Sequence, residues 1–269
     1  MTNMVNLANE ISAWLKNYAI NAGRPAFVIG VSGGVDSALV STLCAMTGLP
    51  THCVVLPCQS KDNETDRGIK HIDWLQDNFI HVAYHEIDLT RVFETLKTEI
   101  HPEYDNDLAY ANDKSRFRMI ALYHIATCVG GLVVGTGNKV EDYNLFFYTK
   151  GGDGQVDIAP IGDLMKSEVR LMCRELGVLP ELSEAVPTDG LWADGRTDES
   201  QLGASYEEFE WVVAFLEKNN GWPLQETIDN HMSPRQQEVL GIYNKWHTAG
   251  KHKSLPIPTF KRTWTNLKN

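Results

Sequence analysis

No apolar run in this chain approaches the roughly 18 residues that a membrane span needs, and the first thirty residues lack the basic, apolar and small-residue order of an export signal. These absences predict a soluble, cytoplasmic protein with no membrane partner. Positive charge is also scarce. Against 24 Lys and Arg stand 35 Asp and Glu, a formal net charge of −11, so the overall field repels a nucleic-acid duplex. Cysteine is sparse: Cys44, Cys53, Cys58, Cys128 and Cys173 form no C-x-x-C pair. Each has apolar neighbours, and all five read as reduced core thiols. Repeats, low-complexity tracts and a dividing linker are missing, which favours one domain over residues 1–269. Neither G-x-x-x-x-G-K-[ST] nor G-x-G-x-x-G occurs. What remains, 43% hydrophobic and 22% charged residues, is ordinary globular composition and excludes a disordered or collagen-like chain.

Periodicity then lays out the elements. Leu7, Ile11, Trp14, Leu15 and Tyr18 recur at helical spacing up to Gly23. An apolar run Phe27–Val31 predicts a strand, followed by the pair Gly33-Gly34 and a helix from Ser37 to Met46 closed by Gly48. His52–Leu56 predicts a second strand, Thr65–Gln76 a helix, Ile80–Ile87 a third strand and Thr90–Ile100 another helix. After a polar stretch, Pro102–Asp113, come a helix carrying Met119, Ile120, Tyr123 and Ala126 and a strand Leu132–Val134. This alternation predicts an α/β fold: an open parallel sheet with helices on both faces. From Tyr143 to Asp163, glycines and aromatics without a period suggest ordered loops around a site. A helix Leu164–Leu176 and a polar, helical end section complete the chain.

Ser32-Gly33-Gly34-Val35-Asp36-Ser37 lies between a strand and the start of a helix, where unpaired backbone N–H groups and the helix dipole favour an anion. Glycines let backbone approach phosphate oxygens, Ser32 and Ser37 supply hydroxyls, and Asp36 suits a Mg²⁺ that neutralises them. Gly135-Thr136-Gly137-Asn138-Lys139-Val140-Glu141 also follows the carboxyl end of a strand. In an open parallel sheet both loops share one rim, which brings Glu141 within reach of the same ion. His81 and His85 lie on a strand, too far apart for easy shared ligation, and no metal site is expected there.

S-G-G-x-D-S resembles the pyrophosphate-binding loop of the ATP pyrophosphatase superfamily, Rossmann-like folds of the adenine nucleotide alpha hydrolase type. Members cleave ATP between its α- and β-phosphates and transfer AMP to an oxygen of the acceptor. The loop narrows the reaction and leaves the acceptor open, since synthetases for GMP, asparagine, argininosuccinate and NAD and tRNA-modifying enzymes share it. Further motifs, G-T-G-N-K-V-E-D, T-K-G-G-D-G, D-I-A-P-I-G-D-L-M-K, P-T-D-G-L-W and D-E-x-x-L-G-x-S-Y, are similar to the NAD synthetase family. With Ala111–Tyr123 and the late His252-Lys253, the resemblance covers nearly the whole chain.

The resemblance implies a ligase that uses ATP and Mg²⁺ to amidate nicotinic acid adenine dinucleotide with ammonia, giving NAD, AMP and pyrophosphate. It also implies a homodimer. By matching position, Gly30, Val31, Ser32, Gly33, Gly34, Val35, Asp36, Ser37, Thr136, Lys166 and Thr188 would meet ATP, and Asp36 with Glu141 would hold Mg²⁺. Arg116, Lys150, Asp157, His252 and Lys253 would meet the dinucleotide, and Asp153 is the candidate for handling ammonia. Lys150 and Lys166 join Asp153 as candidates for the chemistry itself. Arg116 and Arg118, two apart on a helix, point in nearly opposite directions, so one at most faces a given ligand, and the family pattern favours Arg116. The chain departs from that pattern where many members have glycine at Asn144 and Phe146 and tyrosine at Gly151, which predicts an altered backbone path after Glu141.

A carboxylate is a poor electrophile, so its adenylation must precede attack by ammonia. A glutamine-hydrolysing domain would need a couple of hundred further residues, which leaves free ammonia or a separate glutaminase partner as nitrogen source, with free ammonia favoured. Two other readings stand beside this one: adenylation of a different acceptor, and a regulatory module that holds ATP without turnover.

Overall fold

A computed structural model describes residues 3–262 apart from 61, 186, 189, 193 and 220, with Asp189 of the P-T-D-G-L-W motif thus outside the described residues. Helix α1 (Met4–Asn21) begins at Asn3, whose side chain accepts from the Asn6 N–H at 3.1 Å. It leads into β1 (Phe27–Gly30), α2 (Val35–Met46), β2 (Thr51–Val55), α3 (Asp62–Asn78), β3 (Val82–Glu86), α4 (Thr90–Glu99), α5 (Asp107–Val129) and β4 (Leu132–Val133). The four strands form a parallel sheet in the order β3-β2-β1-β4 among the described residues.

Strand side chains alternate between faces, and both faces are covered. Phe27 and Ile29 of β1 enter a core with Leu15 of α1 and Leu39 and Leu43 of α2, whereas Val28 enters an opposite core with Phe93 of α4 and Met119 and Leu122 of α5. On the first face, Cys53 and Val55 of β2 meet Ile72 and Leu75 of α3. Each fully buried Leu or Phe contributes about 1.5–3 kcal/mol, and helices from both sides therefore hold β1 as the central plank. A continuous apolar run, read as a doubly covered parallel strand, is what this burial requires.

Beyond β4 come a π-helical turn (Glu141–Leu145), α6 (Lys166–Glu175), α7 (Pro180–Ser183), α8 (Asp198–Leu202), α9 (Tyr206–Lys218), α10 (Gln225–His231) and α11 (Pro234–Gly250). α6 packs on the core of α1 and α2 through Val169 and Met172. α9 and α11 share a separate core of Phe209, Val213, Leu240 and Tyr243, which closes over Val140 and Leu145. The end section is thereby fastened to the turn that carries Glu141.

Two expectations change. The polar stretch Pro102–Asp113 becomes helical from Asp107, because Asn106 caps α5 by accepting from the Ala109 N–H at 3.0 Å. Four cysteines are buried, but Cys128 is exposed, since it lies on the outer face of α5. His85 stacks on His52, with Nε2 2.9 Å from His52 Nδ1, while His81 Nε2 bonds the Ala45 carbonyl.

Candidate active site

β1 is flanked by β2 on one side and β4 on the other, so the chain's order reverses beside it. Loops at the carboxyl ends of β1 and β4 are therefore neighbours on one rim, where open α/β sheets bind ligands. The loop after β1 folds on itself. Ser37 Oγ accepts from the Ser32 N–H at 3.2 Å and donates to the Gly34 carbonyl at 3.0 Å, and Ser32 Oγ accepts from the Gly34 N–H at 3.3 Å. Gly33 takes φ +83°, and a Cβ there would lie 2.2 Å from the Glu64 carbonyl oxygen, so α3 crosses the loop at a distance only glycine permits. Arg67 fixes the crossing by donating to the Gly33 carbonyl at 3.2 Å.

Asp36, in the first turn of α2, and Glu141, in the turn after β4, converge on Lys166, the first residue of α6. Lys166 Nζ lies 2.5 Å from Asp36 Oδ2 and 2.9 Å from Glu141 Oε1. Burial opposes the ammonium, but the two carboxylates outweigh it and hold the Lys166 pKa above the ordinary lysine value. For Glu141 burial also opposes ionisation, and Lys166 together with the Tyr206 hydroxyl holds the carboxyl below its usual value. Asp36 is pushed up, first by burial and also by the charge of Glu141. Asn138, fully buried, joins the two loops: Nδ2 donates to Asp36 Oδ1 at 3.2 Å, and Oδ1 accepts from the Val140 and Glu141 N–H groups at 3.0 and 3.1 Å.

A cavity of about 280 Å³ opens over these residues. Its floor is the Gly30–Ser37 loop with Thr136 and Glu141, and its apolar wall is made by Val54, Leu56, Met119 and Leu122. Asp142 and Asp153 add two further carboxylates. Asp142 is pushed well up by burial and then by the charges of Asp153, Glu141 and Asp36. Desolvation by the surrounding atoms raises Asp153, although the residue is exposed, against its bonds from the Ser115 hydroxyl at 2.7 Å and the Thr149 N–H at 3.0 Å. Both bonds go to Oδ1. An acidic wall facing a loop built for anions needs cations to balance it.

Of the residues expected at the site, Gly30, Val31, Ser32, Gly34, Val35, Asp36, Ser37, Thr136, Glu141, Asp153 and Thr188 line the cavity. Gly33 backs onto α3, and Lys166 stands behind the wall between its two carboxylates. Thr188 donates to Glu64 Oε1 at 3.0 Å. The remaining five lie outside. Arg116 pairs with Asp113 at 2.9 Å and also donates to the Lys150 carbonyl, and the Lys150 side chain is exposed. Asp157 accepts from the Val133 N–H and the Tyr123 hydroxyl, bracing β4. Lys253 donates to the Phe146 and Tyr148 carbonyls, both at 2.8 Å, and His252 bonds the Ala249 carbonyl. Helical geometry does let only one of the two arginines face the cavity, and it is Arg118, which donates to the Leu56 carbonyl and to Ser60 Oγ.

The residues that sequence reasoning left without a role are Asn138, Asp142, Asp198 and Tyr206. Each sits inside a motif already singled out, but nothing in the local pattern shows that Asp198 and Tyr206 reach Glu141. Phe146, one of the departures from the family pattern, adopts φ +54°, a left-handed conformation that glycine takes without strain.

Residues 7–256 match the family model described as NAD synthase. The chain is 37% identical over 257 residues to the NH(3)-dependent NAD(+) synthetase of Methanosarcina acetivorans, covering 93% of this chain and 96% of that protein. A protein of the same description from Methanococcoides burtonii is 38% identical over 226 residues, 82% of this chain and 81% of its own length. Among solved structures, the NMN synthetase of Francisella tularensis matches with a TM-score of 0.83 at 26% identity, over 97% of this chain and all of that one. The NH3-dependent NAD synthetase of Campylobacter jejuni shares the fold, with a TM-score of 0.77 at 21% identity over 97% of this chain and 100% of its own.

Proposed function

This chain belongs to the NAD synthase family, and on that premise we propose that it is an ammonia-dependent ligase that converts nicotinic acid adenine dinucleotide to NAD. The observation that carries the reading is the meeting of Asp36 and Glu141, which line one cavity beside the glycine-rich loop, with Lys166 behind them.

The family is ATP-dependent. In this reading the Ser32–Ser37 loop holds the β- and γ-phosphates and the wall of Val54, Leu56, Met119 and Leu122 takes the adenine. Asp36 and Glu141 fit a Mg²⁺: two hard oxygen donors already converge on one cationic point, where the Lys166 ammonium stands in for the ion. When bound, Mg²⁺ neutralises phosphate charge and polarises the bond that breaks. Lys166, displaced from the carboxylates, is then free to hold the departing pyrophosphate.

An oxygen of the substrate carboxylate attacks the α-phosphorus, the bond to the β-phosphate oxygen breaks and pyrophosphate leaves. Ammonia next attacks the acyl carbon and AMP departs. Asp153, raised by desolvation at the cavity wall, accepts the proton that ammonium must lose before it can attack. Arg116, Lys150 and His252, which are exposed, together with Asp157 and Lys253, are assigned to the dinucleotide across the contact of a homodimer. No helix among the described residues is long and apolar enough to cross a membrane.

Incubation with ATP, Mg²⁺, ammonium and the acid dinucleotide should release NAD, AMP and pyrophosphate in equal amounts. ADP and phosphate in their place would overturn adenylation. A second reading takes the acid mononucleotide as acceptor, favoured by the TM-score of 0.83 to the Francisella NMN synthetase. Comparing kcat/KM for the two acids decides between them, since the chemistry at the carboxylate is the same.

A further inference from the structure

The motif D-E-x-x-L-G-x-S-Y has no part in the steps above, yet its two ends meet at the cation site. α8 starts at Asp198 and stops at Gly203, and Ser205 caps α9 by accepting from the Glu208 N–H while Glu208 accepts from the Ser205 N–H at 2.9 Å. Glu199 Oε1 accepts from the Tyr206 N–H at 3.0 Å. These bonds leave the first side chain of α9 one direction to take. Tyr206, 3% exposed, sends its hydroxyl between Glu141 Oε1, to which it donates, and Asp198 Oδ2 at 3.1 Å. Its ring lies 4.8 Å from Lys166 Nζ. One aromatic side chain thus touches both the carboxylate and the ammonium of the site.

The arrangement has a use only if Lys166 moves. While the ammonium sits between Asp36 and Glu141, its charge and hydrogen bonds keep the carboxylates together. Once a divalent cation displaces it, the carboxylates lose the bonds from its ammonium, and each needs another anchor to stay in ligating position. Asn138 Nδ2 anchors Asp36, and the Tyr206 hydroxyl anchors Glu141. We propose that Tyr206, steadied by Asp198, is a positioning residue for the divalent cation site, holding Glu141 in place when Lys166 departs. The inference rests on the function proposed above. Partners of this kind, which orient a metal ligand, typically contribute about 10–100-fold to metal affinity.

The test is Mn²⁺ binding to the whole protein without nucleotide, followed by the electron paramagnetic resonance of free Mn²⁺, for wild type, Asp36→Asn and Tyr206→Phe. Tyr206→Phe should weaken Mn²⁺ about tenfold or more and raise the KM for Mg²⁺ by a similar factor. Its kcat at saturating Mg²⁺ should remain within about threefold, and a thermal melt checks that it folds. Binding lost in Asp36→Asn but unchanged in Tyr206→Phe overturns the inference and leaves the reading of the site intact. Binding that Asp36→Asn does not weaken overturns the metal site and the inference together. Asp198→Asn, whose amide can donate to the hydroxyl oxygen while the hydroxyl proton goes to Glu141, should cost less than Tyr206→Phe.

Discussion

Phe146 fills space that Gly250 leaves open: a Cβ on Gly250 would lie 2.5 Å from the Cβ of Phe146. The phenyl ring also leans on His247, with centroids 5.1 Å apart, so a residue in a left-handed conformation is held by α11. Asn144, the neighbouring departure from the family pattern, is fastened to the same helix by the Tyr243 hydroxyl at 2.9 Å and by His247 Nδ1 at 2.8 Å.

Gly250→Ala should therefore destabilise the protein by about 1–3 kcal/mol, the range for overpacking. Phe146→Gly loses ring packing but relieves the backbone. In a double-mutant cycle by urea denaturation, Phe146→Gly should remove most of the cost of Gly250→Ala. Strict additivity would contradict a direct clash.

Lys166→Met leaves Asp36 and Glu141 as neighbouring buried anions. Removing one partner of a buried pair costs about 3–5 kcal/mol, and loss of the charge that holds the leaving group costs about 10²–10³ in kcat. Mg²⁺ should raise the melting temperature of this variant more than that of wild type, because the ion takes the place of the ammonium. Equal shifts in both proteins would separate Lys166 from the cation site.

Much of this site was legible because it is local. The Ser32–Ser37 loop declares itself by glycines between an apolar run and a helix, and the meeting of Asp36 with Glu141 follows once both are placed after parallel strands. Tyr206 was not legible, since it arrives from a helix 65 residues beyond Glu141 through a core no local pattern encodes. The start of α5 was hidden for a different reason. Lys114 and Ser115 are buried in it while Leu108 and Ile120 are exposed, which erases the apolar stripe that marks a helix. Spacing could show that only one of Arg116 and Arg118 faces the cavity, but not which, because the rotation of α5 is set by packing against Val28 and Val133.

His71 offers a pH test remote from the chemistry. It is fully buried, with Nε2 2.9 Å from Ser41 Oγ and 3.1 Å from the Ala38 carbonyl, and burial lowers its pKa to about 4. A base depressed on folding is protonated first in the unfolded chain, so stability is complete above about pH 6.5 and falls as pH drops toward 4. The loss at the low end is on the order of 3 kcal/mol. Urea denaturation at several pH values in that window should show a shallower slope for His71→Gln. An unchanged slope would assign the acid sensitivity elsewhere.

Asp153→Asn keeps an oxygen to accept from Ser115 and Thr149, so the turn should hold while the base is lost. Ammonium-dependent kcat/KM near neutral pH should fall by about 10²–10⁴, the usual worth of a general base. Raising the pH should restore part of it by supplying free ammonia, and pyrophosphate exchange into ATP should stay near wild type. Loss of exchange to the same extent would place Asp153 in the adenylation step.

The account turns on an oxygen of the substrate carboxylate becoming bonded to the α-phosphorus. Acid dinucleotide carrying heavy oxygen in its carboxylate, turned over with ATP and ammonium, tests this by mass spectrometry of the products. One heavy oxygen should appear in the phosphate of each AMP, with none in pyrophosphate. AMP free of label, or label in pyrophosphate or phosphate, would contradict it.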